Sequence, residues 1–327
     1  MSDTPKSTPR PSLRQPPAGL GFLLAMLACM LAGVLLLNTG ALETSIAGFG
    51  FLMMIPFALG GLVTGAGLRL FNSAGCIFAP LILFAVIFPF VYFKLAEGLV
   101  CILMALPFWL AAGLGGGLAA YLIRRRQGQR EMPRANVVAL LTLPFALIYA
   151  EEASPPAWQE RVVVREVTIA ASADAVWPLL ISIPAIDTGE GKPTFTHDWA
   201  GIPRPSEARL VKRAGGLVRE AQWGRDIRFE ERITKLIPGK AIAWDFAFPD
   251  DSVQAYTDRH IAPDGPVLKI ASGGYQIKAV GDDRVRLTLH TTYRMRSRLG
   301  WYLGWWGEIM LGDVQDNVLA IIKQRAE

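Results

Sequence analysis

The chain has 327 residues, 52% of them hydrophobic and 19% charged, and its formal net charge is +5 at pH 7. Residues 1–150 carry ten Lys and Arg against four Asp and Glu, whereas the rest of the chain carries 23 against 24. Because the excess of positive charge belongs to the apolar part, the chain lacks the basic domain that nucleic-acid binding requires, and we expect no nucleic-acid partner.

Five apolar segments occupy the first part of the chain, and four of them approach the ~20 residues that cross a bilayer core. The fifth has only 15 residues, but a basic loop precedes it and Glu151 and Glu152 follow it, which favours a spanning helix. A cleaved signal peptide is the alternative for the first segment. The sequence therefore predicts an α-helical membrane bundle of about five spans in a lipid bilayer, at residues 18–37, 46–68, 74–93, 98–123 and 136–150.

Basic residues flank these segments on one side. Nine Lys and Arg lie in the N-terminal tail (residues 1–17), after the second segment and in the loop before the fifth, whereas the opposite loops hold only Lys94. Loops rich in Lys and Arg face the cytoplasm. We therefore predict a multi-pass protein of the cell (inner) membrane, with a cytoplasmic N-terminal tail and an extracytoplasmic C-terminal domain. If the fifth segment does not cross, that domain is cytoplasmic.

Glycines recur in two of the apolar segments, including Gly60 and Gly61 in the second and Gly113, Gly116 and Gly117 in the fourth. Small residues three or four positions apart let membrane helices approach closely. Two interpretations stay open: a homodimer interface through these segments, or packing within a single bundle, which we favour.

The composition changes after residue 150, where a polar, Pro-containing linker (151–161) precedes a domain at 162–327. A β-branched run predicts a strand at 162–170, and Ser172 is a suitable N-cap for a short helix that ends near residue 182. Residues 189–206 are rich in Gly and Pro and are predicted to form a loop. Six further strands and a long terminal helix follow, at 207–213, 217–223, 226–236, 240–248, 266–280, 283–295 and 299–325.

Apolar residues recur at three- and four-residue steps along the terminal helix, among them Leu303, Trp306 and Met310, with Trp305 widening the stripe. The order of elements is strand, helix, six strands and helix. Because the strands carry matching apolar faces, the sequence predicts an α+β domain in which a curved antiparallel sheet surrounds the long C-terminal helix.

Two stretches of this domain resemble a known superfamily. VREVTIAASADAVWPLL resembles the opening, and TTYRMRSRLGWYLGWWGEIMLGDVQDNVLAIIKQRAE the last strand and helix, of START-like helix-grip domains, also called SRPBCC. The superfamily includes polyketide cyclase/dehydrase-like and lipid-transport proteins, and multi-span bacterial proteins that end in such a domain resemble the whole arrangement. The resemblance covers residues 162–327 and implies a hydrophobic ligand held between sheet and helix.

Strand alternation selects candidate ligand-binding residues. Glu231 falls on the same face as Ile227 and Phe229. An unpaired buried charge is costly, so a carboxylate there needs an internal Arg, a water or a ligand group, unless a bulge turns it outward. The aromatic residues of the same phase either line a cavity or fill the core. The candidates are Glu231, Trp244, Phe246, Tyr275, Tyr293, Trp306 and Met310.

The sequence contains little that indicates catalysis or a cofactor. His197, His260 and His290 form no metal-ligand spacing, and no phosphate-binding loop occurs, so we predict neither metal nor cofactor. His197 and His260 are either solvated loop residues or rim the cavity. Three functions stay open: non-catalytic binding of a hydrophobic small molecule or lipid, which we favour; a cyclase- or dehydratase-like enzyme that pairs Glu231 with a histidine and acts on a polyketide-like substrate; and an interaction or sensory module.

Overall fold

The structure is a computed structural model that describes residues 48–65, 75–94, 99–128, 134–256, 262–281 and 283–327. The predicted N-terminal tail, the first apolar segment and His260 lie outside the described residues.

The first part of the described chain is helical. A π-helical turn, Gly50–Met54, continues into α1 (Ile55–Gly65), and α2 (Gly75–Lys94), α3 (Leu99–Gln127) and α4 (Arg134–Ala153) follow. Among the described residues, two helices are long and apolar enough to cross a membrane, Leu99–Gln127 and Ala135–Ala153.

Two candidate helices are fewer than the predicted five or so spans. The second and third predicted segments correspond to shorter apolar stretches, Gly50–Gly65 and Pro80–Pro89. The fifth segment is longer than predicted, because helix α4 continues through the first residues assigned to the linker and ends at Ala153.

Glycines allow α1 and α3 to pack closely. A Cβ atom on Gly60 would lie 1.9 Å from the carbonyl oxygen of Gly113, and one on Gly116 would lie 1.9 Å from that of Phe57. Any larger side chain at these two crossings would force the helices apart. These glycines therefore serve packing within one chain, the second of the two interpretations above.

The described residues after Ala153 form one antiparallel sheet and three helices. The strand order is β1-β7-β6-β5-β4-β3-β2, so the first and last strands are neighbours. The long terminal helix α7 (Gly300–Ala326) packs against the sheet, which is the predicted helix-grip arrangement. The strands are β1 (Gln159–Ile169), β2 (Pro205–Arg213), β3 (Gly216–Trp223), β4 (Ile227–Ile237), β5 (Ala241–Ala247), β6 (Leu268–Ala279) and β7 (Val285–Met295).

Two short helices, α5 (Ala173–Ile181) and α6 (Phe195–Asp198), connect β1 to β2. Ser172 caps α5, because its hydroxyl accepts a hydrogen bond from the Ala175 N–H at 3.4 Å. Helix α6 lies where the sequence predicted only a loop. Its start is capped reciprocally: the Thr194 hydroxyl accepts from the His197 N–H at 3.3 Å, and the Asp198 carboxylate accepts from the Thr194 N–H at 2.9 Å.

The two halves of α7 have different surroundings. Leu319 and Ile322 of the C-terminal half belong to the main hydrophobic core. In the N-terminal half, Trp301 is 67% exposed and Trp305 is 56% exposed. The prediction that Trp305 widens the sheet-facing stripe is therefore wrong, because the helix turns that side chain away from the sheet.

The helical part and the sheet domain touch at the start of α3. The Tyr302 hydroxyl of α7 donates a hydrogen bond to the Met104 carbonyl oxygen at 2.8 Å, and its ring packs edge-on against Phe108 with centroids 4.6 Å apart. The end of α4 makes a second connection. The buried Glu151 carboxylate accepts from the Gly50 N–H at 2.9 Å and lies 3.5 Å from Arg298 Nε.

Candidate ligand-binding cavity

A cavity of about 320 Å³ lies between the sheet and α7. This volume falls at the lower end of the range of small-molecule pockets, roughly 300–1,000 Å³. Strands β2 to β7 supply one wall and α7 supplies the opposite one. Helix α3 contributes Val100, Cys101 and Met104, so the cavity extends to a candidate membrane helix.

The seven candidate residues all line this cavity, because they occupy the inward phase of their strands or the sheet-facing side of α7. The inward phase of β4 holds Ile227, Phe229 and Glu231 together, as alternation predicted. The candidates are Glu231 on β4, Trp244 and Phe246 on β5, Tyr275 on β6, Tyr293 on β7, and Trp306 and Met310 on α7.

Glu231 has an internal partner, Arg219 on β3. Arg219 Nη1 donates to Glu231 Oε2 at 2.5 Å, and the two side chains are only 6% and 7% exposed. The residues face each other across the β3–β4 ladder. The Arg219 guanidinium carbon lies 6.0 Å from the centre of the Tyr275 ring. Of the three partners that the sequence left open for Glu231, the structure contains the internal Arg.

Burial and pairing set the charge states in the cavity. Burial raises the pKa of the Glu231 carboxyl, and the Arg219 guanidinium opposes that rise. Burial disfavours the charged guanidinium, but Glu231 and Tyr275 together outweigh this effect and raise the pKa of Arg219. Burial also raises the pKa of Tyr275 to about 12, so its hydroxyl is protonated at neutral pH. The remaining charged lining residue, Glu207, pairs with Arg209 at 2.7 Å.

Several polar atoms of the lining residues have no hydrogen-bond partner among the described residues. They include three donors, Arg219 Nε, Trp244 Nε1 and Trp306 Nε1, and one acceptor, Gln315 Oε1. The Gln315 amide nitrogen donates to the Thr291 hydroxyl at 3.0 Å. Buried polar groups in native proteins are usually paired, so these four atoms are exceptions among the residues around the cavity.

The two described histidines, His197 and His290, do not line the cavity. His197 is buried on α6, where Nδ1–H donates to the Ile202 carbonyl oxygen at 2.9 Å and the ring meets Trp223 edge-on. Burial lowers the pKa of His197. It is neither solvated nor among the cavity-lining residues, because Trp223 stands on the cavity side of it. His290, whose pKa burial also lowers, lies outside the lining as well. The described residues therefore bring no histidine to Glu231.

Sequence reasoning missed Arg219, although a signal for it was present. Arg219 shares its strand phase with Ala221 and Trp223, and all three line the cavity. A short turn between β3 and β4 then places Arg219 opposite Glu231.

No model of a protein family matches the chain, and no curated protein matches its sequence. Several solved structures are similar to its C-terminal half. The ZhuI aromatase/cyclase from Streptomyces is 16% identical, with 51% of this chain and 94% of that chain covered and a TM-score of 0.32. Norcoclaurine synthase from Thalictrum flavum is 14% identical, with 54% and 90% covered and a TM-score of 0.32. The di-domain aromatase/cyclase BexL is 13% identical, with 67% and 63% covered and a TM-score of 0.33.

Proposed function

We propose that this protein is a membrane-anchored binding protein for an uncharged hydrophobic small molecule or lipid, held between the sheet and α7 without catalysis. The observation that supports this proposal is the cavity of about 320 Å³ with its almost wholly apolar lining. A domain built only for contact with another protein would gain stability from a filled core. The cavity therefore favours binding over the interaction or sensory module.

The chemistry of the lining supports an uncharged ligand. Arg219 and Glu231 neutralise each other at 2.5 Å, so a carboxylate or phosphate entering beside them would meet the Glu231 charge as well. The free N–H groups of Arg219, Trp244 and Trp306 suit a carbonyl or hydroxyl oxygen. We therefore infer an apolar molecule that carries at least one such acceptor, recognised by the seven candidate residues together with Arg219.

The helices support the predicted orientation. Arg124, Arg125 and Arg126 occupy the last turn of α3, whereas the sheet domain touches α3 near its first turns. The basic end and the domain thus lie at opposite ends of this helix. With the positive end in the cytoplasm, we propose an extracytoplasmic domain at residues 162–327 and about five spans in the inner membrane.

Fusions after Glu327 test this orientation. Alkaline phosphatase, which is active outside the cytoplasm, should be active there, whereas green fluorescent protein should not fluoresce. The opposite pair of results would place the domain in the cytoplasm and contradict the orientation, without bearing on ligand binding.

Ligand binding is tested by native mass spectrometry of the full chain purified in lipid nanodiscs. We expect an apolar molecule to be retained and to be identified after solvent extraction. Val314 lines the cavity, whereas Val162 is 51% exposed on β1. Val314→Trp should lose the molecule because the indole fills the cavity, and the matched control Val162→Trp should keep it. An empty wild-type chain, or retention by Val314→Trp, would contradict the proposal.

A cyclase- or dehydratase-like enzyme is the second candidate, favoured by one observation. Glu231 places a carboxyl with a raised pKa inside the cavity, as an acid or base would require. Glu231→Gln separates the two candidates: an enzyme would lose turnover while it still binds its substrate, whereas a binding protein would change in affinity or stability. Conversion of the retained molecule by the wild-type chain alone would favour the enzyme.

A further inference from the structure

One boundary of the cavity is a helix of the membrane part. Val100, Cys101 and Met104 of α3 line the same space as Leu303 and Trp306 of α7. If the sheet domain bound its ligand independently of the membrane helices, its own strands and helices alone would line the cavity. Here the apolar space reaches a helix that is long and apolar enough to lie in a bilayer.

Exposed aromatic residues mark the level at which this contact occurs. Trp301 and Trp305 of α7 are 67% and 56% exposed, and Tyr149 near the end of α4 is 78% exposed. Tyr302, between the two tryptophans, donates to the Met104 carbonyl oxygen, which puts them beside Met104 of α3. Trp and Tyr are enriched where a bilayer meets water, so these residues indicate the membrane surface.

The length of α3 independently indicates that the membrane surface lies near Met104. Arg124, Arg125 and Arg126 mark the other end of the helix. At a rise of about 1.5 Å per residue, the stretch from Met104 to Arg125 is roughly 30 Å long, which equals the thickness of the hydrocarbon core, about 30 Å. Met104 therefore lies at one face of the core when the arginines lie at the other, and the cavity adjoins that face.

We propose that the ligand exchanges directly with the adjacent membrane leaflet, through a portal between α3 and the N-terminal half of α7, bounded by Met104, Phe108, Tyr302, Leu303 and Trp306. This proposal rests on the binding function proposed above and adds that the ligand comes from the membrane. An uncharged apolar molecule is concentrated in the bilayer, and passage through this portal keeps it out of water. The Tyr302 hydrogen bond and its edge-on contact with Phe108 hold the portal closed and must break when it opens.

The test measures how fast a bilayer-dissolved probe reaches the cavity of the full chain in vesicles. Met310→p-benzoylphenylalanine places a photocross-linker in the lining. Vesicles equilibrated with oleyl alcohol, an uncharged lipid with one hydroxyl, receive its chain-deuterated form, and mass spectrometry follows the deuterated share of the cross-linked product with time. Met104→Trp should slow this exchange about tenfold by narrowing the portal, whereas Tyr302→Phe should accelerate it several-fold by removing one hydrogen bond.

Leu118→Trp is the matched control, since Leu118 lies on the same helix and is 43% exposed away from the cavity. It should exchange at the unsubstituted rate. Equal exchange rates in Met104→Trp, Tyr302→Phe and this control would overturn the portal while leaving binding intact. Absence of cross-linking in every chain, together with no co-purified molecule in the nanodisc experiment, would instead contradict the binding function itself.

Discussion

The two halves of α7 face the same sheet and both reach the cavity, but the buried residues that α7 adds to the main core come from its C-terminal half. Leu319 and Ile322 of the C-terminal half are 2% and 1% exposed and belong to the main core. In the N-terminal half, Trp306 and Met310 face the cavity, and Trp305 faces outward. A continuous apolar stripe thus shows which side of a helix faces the sheet, but not whether the space between them is filled.

A polar side chain also ties the C-terminal half of α7 to a neighbouring loop. In the C-terminal half, Asn317 Oδ1 accepts hydrogen bonds from the Lys192 N–H and from Arg204, each at 3.0 Å. The loop approaches so closely that a Cβ atom on Gly191, whose φ is +88°, would lie 2.1 Å from this oxygen. In the N-terminal half, Trp306 Nε1 has no partner among the described residues. The amide nitrogen of Asn317 and the amide oxygen of Gln315 also lack partners there, so unpaired polar atoms occur in both halves.

The largest effect on stability is expected at the buried ion pair between Arg219 and Glu231. Arg219→Met leaves the Glu231 carboxylate buried without its guanidinium, which should lower the free energy of unfolding by roughly 3–5 kcal/mol at neutral pH. Urea unfolding followed by tryptophan fluorescence measures the loss. The double variant Arg219→Met/Glu231→Leu should recover most of it, because no charge is then buried alone. A double variant as unstable as the single one would show that Arg219 acts through packing instead.

The same variant should respond to pH. Burial raises the pKa of Glu231, and removing Arg219 removes the influence that opposes this rise. The folded-state pKa then lies above the unfolded one, so the folded state binds more protons between the two values and stability falls as pH rises through that interval. The loss of unfolding free energy caused by Arg219→Met should therefore shrink as pH falls from 7 toward the ordinary carboxyl pKa of about 4.3. A deficit independent of pH would contradict a charged Glu231 as its cause.

A pair of alanine substitutions compares the two halves directly. Leu319→Ala removes a side chain from a filled core and should cost about 3–5 kcal/mol. Met310→Ala only enlarges an existing cavity, so it should cost less than half as much. Both values come from urea unfolding of the full chain in the same detergent. Equal losses of unfolding free energy would show that α7 is packed as tightly around Met310 as around Leu319. The proposed difference between the two halves would then be wrong.

Strand parity accounts for what the sequence predicted correctly in this domain. Alternation fixes the face of every residue once a strand is identified, so it placed Glu231, Trp244 and Tyr293 on the inward side with their apolar neighbours. The terminal helix followed from its repeat of apolar residues. These inferences depend on local periodicity, which the sequence contains in full.

The rest depends on features that periodicity does not describe. Trp305 lies at the edge of the helical stripe, and only the position of α3 and the sheet decides that it faces outward. Helix α6 was missed because Gly and Pro are frequent in residues 189–206, although Thr194 and Asp198 form a recognisable cap. The contact between α3 and the cavity joins residues about 200 positions apart, and no local pattern predicts such a contact.

The smallest effect on stability is expected for Trp305, which faces outward from the N-terminal half of α7. Trp305→Ser should change the free energy of unfolding by no more than about 0.5 kcal/mol, because the side chain is 56% exposed. It should nevertheless reduce the quenching of tryptophan fluorescence by brominated phosphatidylcholine in vesicles, since an interfacial indole contacts the lipid. Trp199→Ser is the control: Trp199 is 75% exposed and follows α6, whose contacts with α7 extend from Trp306 to Asp313. Equal quenching in the two variants would show that Trp305 is surrounded by water. It would contradict a membrane surface at this end of α7.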